Sequence, residues 1–113
     1  MKVETYEIAK AITPENFQTI LNEITVRLKN RADKAYLFGS IANSNFRPDS
    51  DIDLLIVKET SEKFVKRAFE FEDLFSIYPR LDIIVYTPAE FSIQIKKESS
   101  FWTEFRENAV KLI

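Results

Sequence analysis

Apolar residues early in the chain recur at helical spacing: Phe17, Ile20, Leu21, Ile24 and Leu28 fall on one stripe, as 3.6 residues per turn require. Thr13 stands where a cap is needed and Pro14 suits the first turn, so a helix is predicted to start there. The pattern then changes. Residues 34–38 (Lys-Ala-Tyr-Leu-Phe) read as a short buried strand that stops at Gly39. Residues 40–43 fit one helical turn, and residues 44–50 are dense in turn formers. Residues 51–57, Asp-Ile-Asp-Leu-Leu-Ile-Val, are almost unbroken branched apolar chain after Asp53, which predicts a strand buried on both faces. A helix is expected over residues 61–75, with Phe64, Ala68, Phe71 and Phe75 on one stripe, and Pro79 closes that region. Residues 81–86 form a third predicted strand, and Thr87-Pro88-Ala89-Glu90 is a capping box that opens another helix. A last helix from Ser99 or Ser100 carries Phe101, Trp102 and Phe105, and residues 110–113 read as extended. The first dozen residues have no clear pattern. The order helix, strand, strand, helix, strand, helix predicts a small α/β or α+β sandwich.

Composition narrows what such a sandwich can do. A chain of 113 residues is read as one domain, 1–113, and 45% hydrophobic residues with ten Phe suffice for its core. Net charge is −2 with Lys and Arg scattered, which argues against nucleic acid as the main partner. There is no Cys, which removes disulfides, thiolate metal sites and Cys nucleophiles. There is no His, which removes the usual general base and imidazole ligands. Chemistry at neutral pH then falls to carboxylates, hydroxyls, Lys and Arg. Carboxylates favour hard cations such as Mg²⁺ together with bound phosphate. The first residues lack the apolar run of a signal peptide and no stretch could span a bilayer, so a cytoplasmic location is expected and no membrane partner.

Three places could carry that chemistry. Gly39 is the single glycine, and Ser40 with a short helical signal follows at once. Such a turn can offer backbone N–H groups and a hydroxyl to an anion; it can equally be a plain strand-to-helix turn. Asp51 and Asp53 share one strand face by alternation, with Leu55 and Val57 continuing it. Two carboxylates so close repel unless a cation lies between them, although a solvated turn at residues 48–51 would also account for them. Asp82 favours the site. It sits near the start of the third strand among apolar residues, where an unpartnered acid is costly. If the second and third strands are parallel and the first is antiparallel to the second, all three acids and Gly39 meet at one edge. That arrangement suits two-metal phosphoryl transfer.

Leu37-Phe38-Gly39-Ser40, ten further residues, then Asp51-Ile52-Asp53-Leu54-Leu55 resembles the Gly-Ser…Asp-x-Asp signature of the DNA polymerase beta nucleotidyltransferase superfamily. Spacing and length resemble its minimal nucleotidyltransferase (MNT) branch. The resemblance implies a palm-like fold, a small mixed β-sheet flanked by helices. It implies that Gly39 and Ser40 bind the triphosphate of ATP, that Asp51 and Asp53 ligate two Mg²⁺ ions, and that Asp82 is the third carboxylate, near the attacking hydroxyl. It further implies transfer of AMP to a protein hydroxyl, and a role as antitoxin to an all-helical HEPN-domain partner encoded nearby. One departure stands out. Where the family shows Gly-Ser-x-Ala-Arg-Gly, this chain has Asn43 and Ser44 in place of the Arg and the second Gly. Arg47 is the candidate to replace the guanidinium on the triphosphate, a surface charge being the other reading. A binding module that neutralises its partner by occlusion is the alternative function.

The aromatic residues are read mainly as core, Phe64, Phe71 and Phe75 among them. Val65, Phe69 and the aromatic C-terminal third, with Phe91, Phe101, Trp102 and Phe105, exceed what one small core needs. That surplus marks a surface for the HEPN-type partner or for a second copy in a homo-oligomer.

Overall fold

The computed structural model describes residues 12–43, 47 and 49–113; the readings made above for residues 1–11, 44–46 and 48 lie outside them. Helix α1, Pro14–Leu28, opens on a reciprocal cap in which Thr13 Oγ1 accepts from the Asn16 N–H and Asn16 Oδ1 accepts from the Thr13 N–H. Its buried stripe, Ile20, Leu21, Ile24 and Leu28, is the predicted one.

Four strands form one sheet: β1 Lys34–Phe38, β2 Ile52–Val57, β3 Leu81–Tyr86 and β4 Val110–Lys111, in the order β3-β2-β1-β4. β2 and β3 run parallel, while β1 is antiparallel to both β2 and β4. The sheet is therefore mixed, as expected. Alternation along β2 then fills two cores. Ile52, Leu54 and Ile56 join the cluster under α1, with Phe71, Leu74 and Tyr78. Leu55 and Val57 join Phe91, Trp102 and Phe105 on the other face. That second face is covered by α2, Pro88–Gln94, and α3, Ser100–Asn108, which start on the predicted Thr87–Glu90 capping box and on a Ser99 cap. Its rings pack edge to face, Trp102 against Phe105 at 5.2 Å between centroids and Tyr36 against Phe105 at 5.4 Å, the geometry aromatic quadrupoles favour. The result is a small α+β sandwich. Among the described residues no helix is long and apolar enough to cross a membrane.

The segment predicted as an α-helix over 61–75 is instead a 3₁₀ helix, Phe64–Ser76, bent at Phe71 (φ −109°, ψ 18°). Such helices rarely exceed one turn, and this one is held from outside. Arg31 donates to the Glu70 carbonyl and Arg27 to the Asp73 carbonyl. Arg67 pairs with Glu90, Lys58 with Glu70, and Arg31 with Asp73; Lys58, just past β2, is thus a strut. Three residues per turn replace the 3.6-residue stripe. Phe71 and Leu74 are buried, whereas Phe64 and Phe75, expected in the core, are 51% and 39% exposed. Of the C-terminal aromatics, Phe91, Trp102 and Phe105 are core and Phe101 is exposed.

Candidate active site

Strand register sets the site. Asp53 pairs with Asp82 across β2 and β3, and with Phe38 across β1. Neighbouring strands lie about 4.8 Å apart, so Asp53 stands between Asp82 on one side and the end of β1 on the other. Asp51 precedes β2 by one residue and shares the parity of Asp53. The structure thus brings the predicted acids and Gly39 to one sheet edge, on the face covered by α2 and α3. Asp53 is half-buried; Asp51 and Asp82 are exposed.

The start of β2 is fixed from below. The Ile52 N–H donates to the Arg80 carbonyl at 2.9 Å. The Tyr78 hydroxyl, on a fully buried ring, donates to the Ser50 carbonyl. The Arg47 N–H donates to Ser50 Oγ at 2.9 Å, and the Ser50 N–H returns a bond to the Arg47 carbonyl at 3.1 Å. These bonds confirm a turn just ahead of Asp51.

Gly39 is required on two grounds. Its φ of +84° lies in the left-handed region, which costs a side-chain-bearing residue about 1–2 kcal/mol. A Cβ there would also lie 2.1 Å from Asp53 Oδ2. The turn and the acid are packed against each other. Ser40 follows, exposed, at the start of the 3₁₀ turn Ser40–Asn43. Exposed Arg47 lines a shallow pocket with Ser40, Asp49 and Ser50.

Burial pushes the Asp53 carboxyl up to about 6, and the charges of Asp82 and Asp51 add to the effect. None of the three acids makes an ion pair among the described residues. Nor are they gathered into a preformed metal cage among those residues. Mg²⁺ does not need one: it is held by one or two carboxylates and completes its shell with water and substrate phosphate. The donors here are oxygens alone and carry uncompensated negative charge, which fits that ion.

Sequence reading did not anticipate what lies beside Gly39. Phe38, Gly39, Phe101, Glu104, Phe105, Asn108 and Ala109 line a pocket of about 140 Å³. The signal was available in part, since residues 101, 104, 105 and 108 share one helical face. That this face meets the end of β1 is a tertiary fact. Arg80 was also overlooked; its Nε is buried without a partner among the described residues, one residue ahead of β3.

The sequence profile of the polymerase beta nucleotidyltransferases matches residues 21–111, most of the chain. The chain belongs to that family. A crystal structure of a nucleotidyltransferase candidate from Sulfolobus solfataricus, at 1.40 Å resolution, is similar with a TM-score of 0.50 and 22% identity. The likeness covers 83% of this chain and 73% of that one, and bears on the fold. No curated protein matches. The nucleotidyltransferase family and the mixed sheet therefore agree.

Proposed function

We propose that this nucleotidyltransferase domain works with Mg²⁺, and that it moves AMP from ATP onto a hydroxyl of another protein. The observation that carries the reading is the single edge where Asp53, Asp82 and the Gly39 turn meet. Asp51, Asp53 and Asp82 would hold two Mg²⁺ ions, and Gly39, Ser40 and Arg47 the triphosphate. The bound metal supplies positive charge against the phosphates and makes the attacking hydroxyl more acidic. The adenine would rest between Phe38, Phe101 and Phe105, with Glu104 and Asn108 at its polar edge. Asp53 and the Gly39 turn keep the α-phosphate in line with the acceptor. The acceptor oxygen bonds to the α-phosphorus and the bond to the bridging oxygen breaks. Pyrophosphate leaves, and the hydroxyl proton passes to Asp82.

The minimal branch and its helical HEPN-type partner come from the motif resemblance, and such a partner is the proposed acceptor. Asn43 and Ser44 in place of Arg and Gly favour a second reading, neutralisation of the partner by occlusion without transfer.

Incubation with the partner and α-labelled ATP tests both. Label should appear on the partner, need Mg²⁺, and fall about a thousandfold in Asp53→Asn, as loss of several kcal/mol of transition-state stabilisation implies. A silenced but unlabelled partner would establish occlusion. Failure of Mg-ATP to raise the melting midpoint at millimolar concentration would count against any triphosphate site.

A further inference from the structure

Three residues complete each turn of the 3₁₀ segment, so positions three apart share a face. One face, with Phe71 and Leu74, is buried in the core. A second, Arg67, Glu70 and Asp73, is tied to Glu90, Lys58 and Arg31. The third face holds Lys63, Lys66, Phe69, Glu72 and Phe75, and among the described residues it is left exposed. Phe69 is 66% exposed, the two lysines and Glu72 are exposed, and those three make no ion pair among the described residues. A bare apolar ring flanked by unpaired charges differs from the adjoining face, where every charge is matched.

The order of residues on this face says what fits it. Phe69 is the centre. Three positions before it stands Lys66 and three after it Glu72; six before stands Lys63 and six after Phe75. A two-fold axis through Phe69 maps each position onto its mirror. Lys66 of one copy then meets Glu72 of the other, Lys63 meets the Phe75 ring, and Phe69 meets Phe69. Opposite charges pair, an ammonium lies over an aromatic face, and the exposed ring is removed from water. That is the self-complementary condition of an isologous contact.

We infer that this face pairs two copies of the chain, antiparallel, with Phe69 of each on the two-fold axis. At about 2.0 Å per residue the face is about 24 Å long. A contact of that size is smaller than a standard stable interface and supports a weak dimer.

Sedimentation over a concentration series from micromolar to millimolar, at low ionic strength, is the test. The chain should shift from monomer to dimer. Lys66→Glu and Glu72→Lys should each weaken self-association about tenfold or more, since each places like charges in both symmetry-related pairs. An equimolar mixture of the two variants should restore the dimer, because each chain then presents the other with opposite charge at both pairs. Phe69→Ser should be monomeric. All three side chains are exposed, and an unchanged circular dichroism spectrum and melting midpoint verify the fold of each variant. A chain that stays monomeric throughout overturns the inference, whatever else binds this face. So does a mixture no tighter than either variant alone, or a Phe69→Ser dimer of undiminished strength.

Discussion

Two carboxylates flank the same parallel strand pair from opposite ends and meet opposite treatment. Glu90, just past the end of β3, takes two hydrogen bonds from Arg67, one at 2.6 Å, and one from the Thr87 N–H. The Arg67 guanidinium pulls its carboxyl down to about 2. Asp53, at the start of β2, has no cation within reach among the described residues and is pushed up to about 6 by burial and by Asp82 and Asp51. The fold therefore has the means to neutralise acids and uses them on the strut side: Asp73 is likewise held below the ordinary carboxylate range by Arg31. Leaving charge uncompensated at one edge is costly to stability, and such costs concentrate at sites that bind or react.

The contrast can be broken from the weak end first. Gly39→Ala should lower stability by about 2–3 kcal/mol, the left-handed backbone and the contact with Asp53 acting together, and drop the melting midpoint by ~10 °C. Pairing it with Asp53→Ala should return about 1 kcal/mol, since the clash has then lost one partner. Strict additivity in a double-mutant cycle would mean that the turn and the acid are not in contact.

At the neutralised end the expected loss is smaller. Arg67→Met keeps the stem but removes the bonds to Glu90, the Glu62 carbonyl and the Val85 carbonyl, and should cost about 1–2 kcal/mol in urea unfolding. The cost should shrink as pH falls through about 2, where Glu90 takes up its proton. A flat response down to that pH would mean that the pair contributes packing alone.

The smallest effect has the opposite sign. The Asp53 carboxyl is raised from 3.8 to about 6, so its contribution favours the fold below about pH 4 and is lost as pH rises through 6. Asp53→Asn removes the charge and should stabilise the protein at pH 7.5 by about 1 kcal/mol, after allowance for solvent screening of a half-exposed group. The gain should vanish below pH 4, and millimolar Mg²⁺ should close the gap from the other side by stabilising the unmutated chain. Destabilisation by Asp53→Asn at neutral pH would show that the acid is a structural anchor.

The acid edge was legible because it depends on short-range rules: alternation puts Asp51 and Asp53 on one face, and a crossover of this length aligns β2 with β3. The Thr87–Glu90 capping box and the Thr13 cap were legible for the same reason, each being written within a few residues, although the return bond from Asn16 Oδ1 to the Thr13 N–H was seen only in the structure. What escaped depends on partners far along the chain. Phe64, Ala68, Phe71 and Phe75 satisfy a 3.6-residue period, whereas the period of three is held by bonds that Arg27, Arg31 and Lys58 donate and that Glu90 accepts from Arg67. The 2.1 Å approach between a Cβ at position 39 and Asp53 follows from register, which sequence does not state. Nothing local in the sequence shows that Glu104 and Asn108 face the end of β1.

The chain contains one glycine, and it touches the acid that titrates near neutrality. Growth on isotopically labelled glycine would therefore give a protein spectrum of one amide and one pair of α-protons, with no assignment needed. Those α-protons sit beside Asp53 Oδ2, so their shifts should follow its ionisation directly. The amide belongs to the turn that leads into Ser40, so it would register an arriving phosphate in the same experiment. Because even a methyl group is too large for position 39, the glycine that stands there is a built-in reporter for both halves of the site.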